Sequence, residues 1–404
     1  MLGKSLVELR AYCKSLGEPE YRGGQIYHAL YAERRFDAAG MTNLPEALRE
    51  KLAREASITL PVVRQRYLSK DGSVRYLFGI GEERNFTTAT GSGQAPDTEN
   101  TEDAKGTGRK EARQSLQKPA AVETVFMPSE GRQTICISTQ AGCAVDCRFC
   151  LTAQLGLIRN LTVGEIVGQV LVPLQEMGEA PEKKSPTPES SADDDAEESG
   201  LVGRTNVVLM GQGEPLLNFE NVMGALRILL DEDGVGLSPK RVTLSTSGIV
   251  PGMERLAKEE VRPKLAISLN ASNDEQRDAL MPINRKYPLK TLMKACREYP
   301  LRNWEHLTFE YVMLGGVNDT ADDARRVVRL LAPLKSVKVN LIPWNPGELP
   351  YQESREERIE EFRRILTERG VPAFVRYSRG RDVMAACGQL ALIEVNGRQF
   401  TVPS

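Results

Sequence analysis

The chain is poor in several residue types, and each scarcity excludes something. Histidine occurs twice in 404 residues, as His28 in a helix-like stretch and His306 before a strand-like run, which disfavours a mixed cysteine–histidine zinc site. Long apolar runs are missing. Nothing approaches the ~18 consecutive apolar residues of a membrane span. The start, "MLGKSLVELRAYCKSLGEPEYRGGQ", lacks the apolar core of a signal peptide. A cytoplasmic protein without membrane attachment is expected. Thiols stay reduced there, so clustered cysteines read as metal-binding or catalytic rather than as a disulfide framework. A strong charge bias is also missing, because the net charge is −2. Residues 178–200 hold eight acidic residues and two lysines, a net of −6, which leaves +4 for the remainder. A mildly basic remainder weakens the case against an RNA partner without making one.

Residues 1–58 carry apolar residues at helical spacing in "LVELRAYCKSL", "GGQIYHALYAERRF" and "LPEALREKLAREA", and are expected to form a small helical accessory domain. "MTNLPEAL" offers Thr42 or Asn43 as a helix cap ahead of Pro45. Residues 59–86 change to a strand-like pattern around Asp71-Gly72, a hairpin signal. Residues 87–119 and 178–202 have almost no large apolar side chains and read as disordered insertions.

From about residue 133, strand-like and amphipathic helical runs alternate. Six strands are expected, "TICIST", "TNVVLM", "RVTLST", "KLAISL", "LTFEYVML" and "VKVNLIP". Helical crossovers between them imply an α/β fold with a parallel sheet, either a partial (β/α)6 barrel or a doubly wound sheet. In both, ligands bind at the carboxyl ends of the strands. The unusual residues fall there: a cysteine loop after the first strand, then "GQGEP", "STSG", "SLNA" and "PWNP". One pocket accounts for all five. The barrel core is expected over 120–390, with a tail at 391–404.

"CISTQAGCAVDCRFC" holds four of the seven cysteines. Cys143, Cys147 and Cys150 can hold three irons of a cubane cluster, which leaves the fourth iron open to another ligand. A zinc site completed by a distant residue, or buried reduced cysteines, are the blander readings. Cys13 and Cys296 sit in helical contexts and read as structural. Trp304 and Trp344 suit base stacking or core packing equally.

The C-x3-C-x2-C loop with Phe149 before its last cysteine resembles the radical S-adenosylmethionine (SAM) superfamily. That resemblance implies a partial (β/α)6 barrel and a [4Fe-4S] cluster on Cys143, Cys147 and Cys150, with SAM chelated to the open iron. Gly213 and Glu214 resemble the turn beside the methionyl part of SAM, where the carboxylate receives its ammonium. Ser245, Ser268, Leu269, Asn270 and Asn345 match positions that contact ribose, adenine and carboxylate. The chain departs from the usual pattern at Gln212, commonly hydrophobic, and at Asn270, often histidine.

"RGRDVMAACGQL", "VETVFMP", Cys136 and "NLIPWNP" together resemble the RNA (adenine-C2) methyltransferases of that superfamily, as do "YRGGQIYHALY" and "MTNLPEALREKL". The resemblance implies methylation of adenine C2 in 23S ribosomal RNA, at adenine 2503, and in transfer RNA, at adenine 37. It implies two SAM molecules per turnover. Cys387 takes a methyl group by displacement, and the methylene radical later formed there adds to C2. Glu123 accepts the C2 proton. Cys136 then attacks Cys387, forming a transient disulfide that releases the product. An electron donor such as flavodoxin and a monomeric enzyme are expected. Arg376, Arg379 and Arg381 are candidates for RNA backbone contact. The alternatives are a C8-type adenine methyltransferase, a radical SAM enzyme on a non-RNA substrate, and an iron–sulfur or zinc structural module with an RNA-binding surface.

Overall fold

A computed structural model describes residues 1–81, 120–178, 204–347 and 349–390. The two expected insertions, the hairpin residues past 81 and the tail at 391–404 lie largely or wholly outside these residues. The chain opens with α1 (Leu6–Ser15), α2 (Tyr21–Tyr31) and α3 (Glu46–Glu55). Ser5 starts α1 with a capping box, its hydroxyl accepting from Glu8 N while the Glu8 carboxylate accepts from Ser5 N. The cap expected at Thr42 or Asn43 is not used. Pro45 is the cap residue of α3, and the Asn43 amide instead donates to Gln25 O at 3.1 Å, tying α3 to α2.

Strands β1 (Val62–Leu68), β2 (Val74–Ile80), β3 (Ala120–Ser129) and β4 (Arg132–Cys136) run antiparallel to one another. A small hairpin, β5 (Gln140–Gly142) and β6 (Leu157–Asn160), brackets α4 (Leu151–Gln154). There follow α5 (Val163–Gly178), β7 (Thr205–Leu209), α6 (Phe219–Leu230), β8 (Val242–Thr246), α7 (Val250–Leu256), β9 (Lys264–Ser268), α8 (Asp274–Leu280), α9 (Leu289–Glu298), β10 (Leu307–Met313), α10 (Ala321–Leu331), β11 (Val337–Pro343), α11 (Glu356–Glu368) and β12 (Ala373–Val375).

One ten-stranded sheet runs β1-β2-β3-β4-β7-β8-β9-β10-β11-β12, and its last seven strands are parallel. The α/β expectation therefore holds, with two additions. β12 is a seventh parallel strand, too short at three residues to show a period. The hairpin is not a free connector: β2 pairs with β3 over seven residues and extends the sheet edge. No pairing closes β12 onto β1 among the described residues, so the sheet is an open, partial barrel.

The amphipathic helices lie on the outer face. Their apolar stripes and the outward residues of the strands share one large core that also takes in α1, α2 and α3. Gly3 and Gly164 make that contact close. A Cβ at Gly3 would stand 2.4 Å from Gly164 N, and Gly3 has φ of +88°, so no other residue fits there. Tyr27 of α2 donates to Asp231 at 2.9 Å, a second tie to the barrel. Cys13 and Cys296 are buried in this core. Inward residues of the parallel strands face a lumen instead, and this lumen holds the chemistry.

Candidate active site

The loop after β4 is shaped by its glycines. Gly142 has φ of +72°, and a Cβ there would sit 1.9 Å from Gly156 O, so only glycine lets β5 pass β6. Cys143 N then donates to Gly156 O at 3.0 Å, Val145 N to Cys143 Sγ at 3.4 Å, and Cys150 N to Cys147 O at 3.1 Å. Cys143, Cys147 and Cys150 end on the wall of one cavity of about 160 Å³. Among the described residues, no three histidine, cysteine or acidic side chains converge well enough to hold a single metal ion. A zinc ion needs its ligands to meet at one point. A cubane offers a different iron to each thiolate, so its ligands need only surround a volume, and the three half-buried thiols do so. Burial pushes Cys143 up to about 12 and raises Cys147 and Cys150 as well. A bound metal reverses that shift and releases the protons.

The same cavity is lined by Gly213, Glu214, Ser245, Ser268, Asn270, Asn345 and Cys387. Ten of the thirteen expected site residues are thus in one place. Leu269 is not among them. Its side chain is fully buried, its N–H donates to Glu310 O, and its carbonyl accepts from Arg277 Nε. Glu214 lines the cavity, but its carboxylate is already engaged. Oε1 accepts from Leu216 N at 3.1 Å and Thr246 Oγ1 at 2.8 Å; Oε2 accepts from Ser247 N and Ser247 Oγ, both at 2.7 Å. Burial raises its pKa, and these donors pull it back. Glu214 fixes the β7 and β8 loops against each other, rather than offering a free acceptor.

Cys387 lies on a C-terminal arm after β12. Leu151 N donates to Gly388 O at 2.9 Å, and Thr152 Oγ1 to Leu390 O at 2.7 Å, so the arm is bonded to the cysteine loop. Asn345 Nδ2 donates to Cys387 O at 3.2 Å and to Ser378 Oγ at 2.9 Å. The tip of the β1–β2 hairpin holds the other end. Gly380 N donates to Asp71 at 2.9 Å, and Lys70 N to Asp382 at 3.1 Å. Cys387 is accessible, but to cavities: it lines the first one and a second, of about 610 Å³, that fills the lumen.

Cys136 lines that second cavity and packs with Ala385 and Leu390 of the arm. The structure therefore brings Cys136 and Cys387 together, as reduced thiols. Burial, and then the neighbouring Cys387, push the Cys136 thiol far above its ordinary value. Burial and Glu310 push Cys387 up to about 12.

Glu123 is placed differently from the cysteines. It lines neither cavity. Its carboxylate pairs with Arg75 Nη1 at 2.6 Å, both side chains being almost fully buried, and accepts from Gln212 Nε2 at 3.5 Å. Arg75 in turn stacks on the Tyr67 ring at 4.1 Å. Gln212, the departure from the superfamily pattern, is thus a partner of Glu123.

Sequence reasoning missed three residues here. Arg277 is fully buried on α8 and donates to the carbonyls of Ser247, Ser268 and Leu269 and to Asn284 Oδ1, at 2.7–3.2 Å. It knits the ends of β8 and β9. Asn318 donates to Asn270 O and Val312 O and holds Asn270 at its positive φ of 54°. Glu310, in mid-β10, lines both cavities; one oxygen accepts from Ser245 Oγ at 2.8 Å, and burial raises its pKa. A lone Arg, Asn or Glu carries no motif, and only the inward alternation of β10 hinted at Glu310.

Comparison with known proteins finds two matching families along the chain. Residues 1–58 match the ribosomal RNA large subunit methyltransferase N-terminal domain, and residues 137–331 match the radical SAM superfamily. The chain is 45% identical over 382 residues to the "Probable dual-specificity RNA methyltransferase RlmN" of Koribacter versatilis, covering 94% of this chain and 98% of that one. It is 43% identical over 406 residues to the dual-specificity RNA methyltransferase RlmN of Paracoccus denitrificans, covering 99% and 91%. A crystal structure of a radical SAM methyltransferase from Sphaerobacter thermophilus superposes with a TM-score of 0.77 at 38% identity, covering 96% and 98%.

Proposed function

The chain belongs to the RlmN family of radical SAM RNA methyltransferases, and on that premise we propose that it methylates carbon 2 of adenine, in 23S ribosomal RNA at adenine 2503 and in transfer RNA at adenine 37. The observation that carries this reading is the position of Cys387 between a cavity walled by three other cysteines and a lumen that contains Cys136. A structural iron–sulfur module needs neither Cys136 nor Cys387.

Superfamily membership implies a [4Fe-4S] cluster and SAM. Cys143, Cys147 and Cys150 would hold the cluster, which supplies the electron that cleaves SAM to a 5′-deoxyadenosyl radical. Gly213, Ser245, Ser268, Asn270 and Asn345 would bind and orient SAM. Cys387 gives up its thiol proton and takes a methyl carbon on Sγ. That carbon later loses one hydrogen atom to the deoxyadenosyl radical and bonds adenine C2, so protein and RNA would be joined through Cys387. Glu123, whose Oε1 is held by Arg75, is assigned the C2 proton. Cys136 then gives up its thiol proton and its Sγ bonds Cys387 Sγ; the carbon–sulfur bond breaks with its electron pair left on the carbon, which takes up a proton to become the methyl group, and methylated RNA leaves. The resulting disulfide needs two electrons from an external reductant to reset it. Two SAM molecules are used per turnover. A flavodoxin-class donor, a monomeric enzyme and a cytoplasmic setting complete the proposal; among the described residues no helix is long and apolar enough to cross a membrane.

Two measurements test it. Anaerobic turnover on unmodified ribosomal and transfer RNA, read by nucleoside mass spectrometry, should give 2-methyladenosine. Appearance of 8-methyladenosine would overturn the regiochemistry. Cys136→Ala should accumulate RNA covalently joined to Cys387, and a cluster-replete variant free of joined RNA would sink the shuttle.

A further inference from the structure

The lumen cavity has a charge pattern that the methyl-transfer chemistry does not use. Arg132, Arg241, Lys264, Lys338, Arg376 and Arg379 line it, and Glu310 is its one acidic wall residue. None of the six cations forms an ion pair among the described residues. Arg376 donates to Asn340 Oδ1 at 3.3 Å and Arg379 to Pro128 O, both neutral acceptors. Arg241, Lys264 and Lys338 are half-buried. Burial lowers the pKa of both lysines and the neighbouring cations lower it further, while Glu305, itself beside Arg262, offsets part of this at Lys264. Half-buried charges without a counter-ion are unfavourable unless an anion completes them.

Their place in the sheet says which anion. Lys264 is the first residue of β9, Lys338 the second of β11, and Arg241 immediately precedes β8. They ring the amino-terminal mouth of the lumen, opposite the carboxyl ends that carry the three-cysteine cavity. Lys338 and Ile342 lie on the same inward face of β11, and Ile342 shares both cavities with Cys387. Four residues of strand rise about 13 Å, a span that one lysine side chain and one nucleotide bridge together.

We infer that this mouth binds the RNA backbone: Arg241, Lys264 and Lys338 hold the phosphodiesters flanking the target adenine, which reaches Cys387 from the side opposite SAM. The inference rests on the RNA methyltransferase reading and adds the substrate's route and its anchoring residues. It also explains an open barrel. A closed, filled lumen would leave no passage for a base extruded from its stack.

The test uses the cluster-reconstituted enzyme and an RNA hairpin containing the target adenine. Each single-strand phosphate contact contributes about 0.7 to the slope of log affinity against log salt. Removing one contact therefore weakens binding about fourfold at 0.15 M salt, and removing two about fifteenfold. Lys264→Gln and Lys338→Gln should each show the smaller loss and the double variant the larger, with matching drops in slope. Lys258→Gln, on the outer face, should show neither. Replacing the flanking phosphodiesters by neutral methylphosphonates should abolish the difference between wild type and the lysine variants. Unchanged affinity and slope in the double variant, or a loss that persists with the neutral RNA, would overturn the inference. A wild-type enzyme that neither binds nor methylates RNA would instead sink the underlying reading. Unchanged melting temperature and iron content in the variants separate lost binding from lost folding.

Discussion

Glu214→Gln distinguishes a carboxylate that builds the site from one that receives a ligand. The side chains are nearly isosteric, so the change is in charge and donor count. In the native loop four donors converge on two oxygens, two of them the backbone N–H groups of Leu216 and Ser247, which cannot turn away. Whichever way the amide is placed, its NH2 meets one of those two. An orphaned buried donor costs about 1–3 kcal/mol. The other three bonds lose their charge assistance, about 0.5–1 kcal/mol each. With partial relaxation, the loss is about 3 kcal/mol. For a body of this size that lowers the apparent melting temperature by about 4 °C. The measurement is a thermal scan of cluster-free, SAM-free protein, because a structural role needs no ligand to show itself. If the cofactor-free variant melts within about 1 °C of wild type while SAM affinity collapses, the carboxylate is free after all and the reasoning is refuted.

Other consequences follow from the same geometry. Arg277→Met leaves three loop carbonyls and Asn284 Oδ1 without their donor and should cost about 4 kcal/mol. Arg277→Lys should recover less than half in denaturant titration, because a single ammonium cannot reach all four acceptors. Gly142→Ala drives a Cβ into Gly156 O and should cut iron bound after reconstitution to below half of the wild-type content. Asp71 is opposed by burial, but bonds from Gly380 and Ser73 outweigh that and lower it to about 2 from 3.8. A depressed carboxylate stabilises above its unfolded pKa, so its anchoring of the Cys387 arm should be complete above about pH 4 and fade toward pH 2. Hydrogen exchange across residues 379–390 should rise over that window, and Asp71→Ala should exchange fast throughout; equal protection in both proteins at pH 6 would contradict the tether.

Much of the site was legible because its residues sit in loops with strong local signatures. A three-cysteine spacing, a Gly-Glu turn and polar strand ends are each short-range patterns, and the alternation of strands and helices puts them on one face. The seventh strand was not legible, since three residues cannot display a period. Nor was the cap of α3, where Pro45 serves and Asn43 turns to Gln25 instead. The partnership of Glu123 with Arg75 joins residues 48 positions apart through the pairing of β2 with β3, and no local pattern announces it.

The division is physical. The sequence alone determined the chemistry available: which thiols exist, how three are spaced, that histidine is too scarce to replace them, and that the chain alternates into a parallel sheet. Those follow from residue type and short-range periodicity. Tertiary structure decided what each group is free to do. It occupied the Glu214 carboxylate with four donors, buried Leu269, paired Glu123 with Arg75, and left three half-buried cations at the lumen mouth without an ion pair among the described residues. Availability depends on what approaches from distant parts of the chain, and that is set by sheet order and register, which no local stretch of sequence contains. Cys136 and Cys387 illustrate both halves. Each is readable as a spare thiol, but the hairpin tip, the cysteine loop and the end of β11 together bring the arm over β4 and make them neighbours.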